Sequence, residues 1–225
     1  MRLFALILVG LLASVSQAQT RLTGNVAAGQ TRTIQAGSYF VDAQILVYAG
    51  GKIIFQPGVN IEVRNSTFWI QIGGEAQFNG TSSQPITITT KAGTPSPGMV
   101  GMLPIPTGST TRPKLSMNYT NFSSYNNNLI FARRADVWIE NCNFLNTSSS
   151  ATKSIFRAYE NTLGSLVDCV LDLNNKTGYG LNVGQSATVA DSTGIDLINV
   201  AVLNSAQPIN IQKIAPIAVL NGSID

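Results

Sequence analysis

Histidine is absent from the 225 residues, and cysteine occurs only twice. The missing His excludes His-based general acid–base chemistry, the Ser-His-Asp and Cys-His nucleophiles, and the commonest zinc and iron ligand sets. Charge is scarce as well. There are 14 basic and 11 acidic side chains, and no basic run is longer than Arg133-Arg134. Nothing in that balance suggests a surface for nucleic acid or anionic membrane. Beyond residue 18 no apolar run reaches the ~20 residues of a membrane-spanning helix. Helical periodicity is lacking too. The nearest candidate, "LIFARRADV" (129–137), has β-branched neighbours and reads as a strand plus a turn.

What is present begins with a leader. Arg2 supplies a positive n-region, Leu3 to Val15 an apolar h-region, and Ser16-Gln17-Ala18 a small-residue cleavage site. Residues 1–18 are therefore expected to be a signal peptide, and residues 19–225 a single exported domain with no membrane span. Loss of Arg2 lowers the formal net charge from +3 to +2. Seven N-x-S/T sequons fit a secreted, extracellular chain, at Asn65, Asn79, Asn118, Asn121, Asn146, Asn175 and Asn221. In a eukaryotic host these are candidate glycan acceptors.

A repeat organises the second half. In "VWIENCNF", Val137 and Ile139 are apolar at offsets 0 and +2, Asn141 is polar at +4, Cys142 stands at +5 and Phe144 at +7. The frame recurs in "LSMNYTNF" from 115, "GSLVDCVL" from 164, "IDLINVAV" from 195 and "IAVLNGSI" from 217, so the spacings are 22, 27, 31 and 22 residues. Alternation at 0 and +2 is strand-like. A residue tolerant of left-handed backbone at +4, followed by a shift of inward parity, predicts a bend between two short strands. A fixed motif with variable spacers is the mark of a solenoid with insertions.

The first half repeats more loosely. "KIIFQPGVNIEV" (52–63) is strand, Pro-Gly turn and strand, and "GEAQFNGTSSQPITITT" (74–90) repeats that plan about 22 residues later. Residues 91–113, rich in Pro, Gly, Ser and Thr, break the pattern and are expected to leave the solenoid as an excursion over one side. The opening stretch "GSYFVDAQILVYAGGKIIFQPGVNIEV" and the "IENCNF" copies resemble secreted right-handed parallel β-helix proteins of the pectin-lyase-like superfamily. The resemblance covers roughly residues 22–225, apart from the excursion. It implies an all-β, single-stranded, right-handed parallel β-helix, here of about 7–8 coils.

Stacked coils turn equal offsets into ladders. One interior ladder should include Met117, Ile139, Leu166, Leu197 and Val219, and a second Phe122, Phe144, Leu171, Val202 and Ile224. Asn141, Asp168, Asn199 and Asn221 should line the bend. Cys142 and Cys169 share offset +5 in consecutive copies, about 4.8 Å apart, within disulfide range. Two readings follow: a disulfide, favoured by export, or a reduced stack acting as apolar filler.

Three functional readings are compatible with these features. The first is a non-catalytic extracellular surface, matrix or adhesive module that binds glycans, with Trp69, Trp138 and Tyr179 as aromatics that either stack on sugars or cover the core. The second rests on the resemblance, whose lyases use carboxylate-bound calcium with an Arg or Lys base and whose hydrolases use clustered Asp. The best such constellation is Asp168, Asp172 and Asp196 with Arg157, although no Asn-Thr-Asp, Asp-Asp, Gly-His-Gly or Arg-Ile-Lys run is present. The third is ice binding by a Thr face such as Thr87, Thr89 and Thr90, which lacks a regular TxT array. No cofactor is implied. The fifth copy ends at Asp225 without a capping segment, so a longer solenoid or self-association through its ends is expected.

Overall fold

The computed structural model describes residues 18–64, 68–91, 99–103, 111–124, 129–146, 154–176, 178–184, 193–211, 219–220 and 223–224. The first 17 residues lie outside this set. Among the described residues there are twenty-four strands and no helix.

A short β1 (Thr20–Arg21) precedes the first coil, which is β2 (Thr31–Ile34), β3 (Gly37–Val41) and β4 (Ile45–Val47). The second coil is β5 (Lys52–Phe55), β6 (Val59–Val63) and β7 (Phe68–Ile72), and the third β8 (Glu75–Asn79), β9 (Ile86–Thr90) and β10 (Met99–Met102). The fourth holds β11 (Lys114–Asn118), β12 (Thr120–Ser124) and β13 (Ile130–Arg133), and the fifth β14 (Asp136–Glu140), β15 (Asn143–Asn146) and β16 (Ser154–Tyr159). The sixth is β17 (Leu163–Val167), β18 (Val170–Lys176) and β19 (Tyr179–Val183). The seventh is β20 (Gly194–Ile198), β21 (Ala201–Ser205) and β22 (Ile209–Ile211), followed by β23 (Val219–Leu220) and β24 (Ser223–Ile224).

Each coil gives one strand to each of three parallel sheets. Sheet I runs β2-β5-β8-β11-β14-β17-β20-β23, sheet II runs β1-β3-β6 and onward to β24, and sheet III runs β4-β7-β10-β13-β16-β19-β22. The chain is a parallel β-helix. Stacking is what completes it: an isolated coil has no partner for its backbone groups, and every interior strand here hydrogen-bonds to the coils on either side.

The ladders fall in the expected register. Met117 pairs with Ile139, Ile139 with Leu166, Leu166 with Leu197 and Leu197 with Val219. Phe122, Phe144, Leu171, Val202 and Ile224 line up likewise on sheet II. The bend residues have left-handed backbone, with φ of 53° at Asn141, 52° at Asp168 and 51° at Asn199, and 41° at Tyr119 in the copy that has no Asn or Asp. That conformation reverses side-chain parity in one step, which is why +2 and +7 both point inward. Amides then bond along the axis, Asn141 to Asn118 at 3.2 Å and Asn199 to Asp168 at 2.9 Å. Asn221 lies outside the described residues.

One expectation is corrected, and one open reading is settled. The excursion is not continuous, because its middle re-enters the solenoid as β10, which pairs with β7 and β13; residues 92–98 and 104–110 lie outside the described set. Trp69 is wholly buried rather than available at the surface. The register of β7 against β10 skips one residue there, so Trp69 and Ile70 both turn inward. Its indole packs edge-on to Phe55 and Phe78, whose rings stack at 4.5 Å.

Candidate functional site

The outward face of sheet I carries the most chemistry. Offsets 0 and +2 of each copy point into the core, so offsets −1 and +1 point out. Register pairing aligns Ser116, Trp138, Ser165 and Asp196 in one outward row. The row beside it aligns Lys52, Glu75, Lys114, Asp136 and Leu163. Trp138 is 44% and Leu163 47% exposed, large apolar surfaces beside the polar Asp136, Ser165 and Asp196.

Around Trp138 the face is concave. An open hollow of about 540 Å³ is lined by Asp136, Trp138, Leu163, Gly164, Ser165, Gly194 and Asp196. Gly164 lines it: with φ +152°, a Cβ there would stand 1.7 Å from the carbonyl oxygen of Val137, so β17 lies against β14 as only a glycine permits. Asp136 is held by Arg112, whose Nε donates at 2.6 Å, while Nη2 donates to the carbonyls of Ala135 at 2.9 Å and Asn161 at 2.6 Å. Asp196 is exposed and makes no ion pair among the described residues. The hollow thus offers an indole face, two carboxylates that accept hydroxyl hydrogens, and a serine hydroxyl that both donates and accepts.

A second hollow, about 330 Å³, adjoins it on the amino-terminal side, lined by Thr31, Gly50, Gly51, Lys52, Gly74, Glu75, Thr111, Arg112 and Lys114. Lys52 pairs with Glu75 at 3.1 Å.

Sheet III carries a different cluster. The Arg157 guanidinium lies over the rings of Phe131 and Tyr159, at 5.6 and 5.4 Å from their centroids. Arg133 and Arg134 converge on the buried Glu160 at 2.7 and 3.3 Å. The Glu160 carboxylate raises the pKa of Arg133, and burial raises that of the Tyr159 phenol. The single basic run of the sequence therefore serves to neutralise one buried acid.

The acidic constellation suggested by the resemblance is spread over the solenoid. Asp196 is on sheet I and Arg157 on sheet III. Asp168 sits at the bend and accepts from Asn199. Asp172 lies on sheet II and accepts from Asn204 at 2.8 Å and from the Asn174 amide at 2.7 Å. None of the four bonds to another. Among the described residues, no three Asp, Glu or Cys side chains group so as to hold a metal ion. Thr87 and Thr89 face outward on β9 while Thr90 is buried, and the outward row through Thr87 continues as Asn121 and Asn143, not as threonine. Tyr179 is half-buried on sheet III.

The cysteines stack as expected but are both free thiols, so the expected disulfide is not formed. Each thiol turns back to its own strand: Cys142 Sγ donates to the Glu140 carbonyl at 3.0 Å and Cys169 Sγ to that of Val167 at 3.2 Å. Thr120, at the same offset, donates to the Asn118 carbonyl at 3.2 Å. In these three copies offset +5 supplies a buried donor for a carbonyl next to the bend, while the copy from 195 fills the position with the buried Val200. Burial pushes the Cys142 thiol above its ordinary pKa.

Of the sequons, Asn175 is exposed, with φ 58°. Asn79 is half-buried at the end of β8, and the side-chain oxygens of Asn118 and Asn121 accept from Asn141 and Asn143. Asn65 and Asn221, and the side chain of Asn146, lie outside the described residues. Comparison with protein-family models, curated proteins and solved structures finds no match to the chain.

Proposed function

We propose that this chain is an exported, non-catalytic β-helix module that binds a neutral glycan chain over Trp138. The observation that carries the reading is an exposed indole in a concave site flanked by Asp136, Ser165 and Asp196. An indole face covers the apolar face of a pyranose, and carboxylates take its hydroxyls in hydrogen bonds stronger than neutral acceptors give. The Asp196 carboxylate, which has no ion-pair partner among the described residues, also repels uronates and sulfates from the platform, which favours an uncharged unit there. The leader and the sequons support an extracellular setting. The three-strand coils and their Asn bends support kinship with the pectin-lyase-like proteins.

The test is retention of the purified chain on insoluble cellulose, β-1,3-glucan, chitin and mannan. One or more should retain it. Trp138→Ala should lose that retention while its thermal unfolding is unchanged, and Asp196→Asn should weaken it. Retention on none of the four, or undiminished retention of Trp138→Ala, would sink the reading.

A further inference from the structure

The cationic hollow beside the platform has no role in holding a neutral sugar. We propose that it is a second subsite, which takes an acidic substituent, a sulfate ester or a uronate carboxylate, on the glycan chain whose neutral unit lies over Trp138. The inference rests on the glycan-binding reading and adds to it a charge and a direction.

The lining residues contribute three cations, Lys52, Arg112 and Lys114, against one carboxylate, Glu75; Lys52 is paired with Glu75 and Arg112 with Asp136, which leaves the charge of Lys114 uncompensated. Arg112 is fixed in place by Asp136 and two backbone carbonyls, so its guanidinium is held without needing a ligand. Lys114 is exposed and has no ion-pair partner among the described residues. The neighbouring hollow has the opposite balance, because Asp136 is paired with Arg112 and the charge of Asp196 is left without an ion-pair partner among the described residues.

Register converts this contrast into a geometry. Lys114 lies on β11, next to the Trp138 strand β14, and Lys52 lies two strands further on, on β5. At ~4.8 Å per strand, the cations stand roughly 5 and 14 Å from the platform along the solenoid axis. Asp196 lies about 10 Å from it in the other direction, two strands on. An extended glycan along the axis therefore meets an aromatic platform at one unit and cations within the next one to three. Its acidic end points toward the amino-terminal coils, because the other direction leads to Asp196.

The experiment measures affinity for the soluble oligosaccharide of whichever neutral polysaccharide is retained, beside its singly sulfated and singly carboxylated forms. At low ionic strength both acidic forms should bind about tenfold tighter, as expected for one charge-assisted contact. The gain should vanish in Lys52→Gln/Lys114→Gln and shrink steeply with salt. A gain for only one acidic form identifies the substituent. Equal affinity for neutral and acidic forms, or a gain that survives the double substitution, overturns the subsite. A gain abolished by the double substitution yet kept in Trp138→Ala overturns the claim that one chain spans both hollows. Neutral binding lost in Trp138→Ala upholds the platform whatever the acidic forms do, so the two readings fail separately.

Discussion

Gly164 and Gly194 line the same hollow on adjacent strands, yet replacing each with alanine should have opposite consequences. At Gly164 the φ of +152° is one that L side chains rarely adopt, and the added Cβ would meet the Val137 carbonyl oxygen at 1.7 Å and its carbon at 2.6 Å. Backbone held in such a region costs on the order of 1–3 kcal/mol, and forcing a methyl into packed backbone another 1–3. The two effects act on one residue, so Gly164→Ala should lose roughly 4 kcal/mol and, for a chain of this length, about 10 °C in Tm. At Gly194 the nearest atom to an added Cβ is Leu163 Cδ2 at 3.8 Å, an ordinary contact. Gly194→Ala should be neutral or gain up to about 1 kcal/mol through the unfolded chain. Thermal unfolding followed by far-UV circular dichroism reads both. Equal shifts in the two variants would refute the claim that β17 is pressed against β14 at Gly164.

Three further outcomes follow from the ladders. Asn199→Asp places a carboxylate beside Asp168, where the amide now donates at 2.9 Å; it should cost about 1 kcal/mol at neutral pH and be relieved by acid, as unfolding midpoints at pH 7 and pH 3 would show. Stability should fall as pH rises above about 10, because burial raises the pKa of the Tyr159 phenol and the unfolded chain releases that proton first; a flat urea midpoint between about pH 9.5 and 11 would contradict this. Native protein should leave both thiols unreactive toward a thiol-specific reagent, and urea should expose two, since both are buried and free.

How far the sequence could be read depended on whether neighbouring coils repeat the same parity. Offsets 0, +2 and +7 recur, and the interior ladders followed from them. Offset +4 was legible because Asn and Asp tolerate left-handed backbone, and in Tyr119 the position persists without that signal. The side on which Trp69 lies was left open by the sequence, because the skipped register beside it breaks alternation and a single strand's sequence cannot show a bulge in its pairing. β10 was hidden by the Pro and Gly residues on both sides of it. Asp168, Asp172, Asp196 and Arg157 are close in coil number but stand at the bend or on different sheets, and coil number alone does not specify a face. The Trp138 hollow was available in principle: Trp138, Ser165 and Asp196 all stand at offset +1 of their copies. The close approach at Gly164 was not legible, because it depends on the backbone of the preceding coil.

Trp69 and Trp138 allow the glycan-binding claim to be tested by light. The chain has only these two tryptophans, one wholly buried and one exposed. In Trp69→Phe the emission reports Trp138 alone. Titration with the retained oligosaccharide should shift that emission to shorter wavelength and shield it from acrylamide quenching. Binding that leaves both the emission and the quenching of Trp138 unchanged would contradict the account.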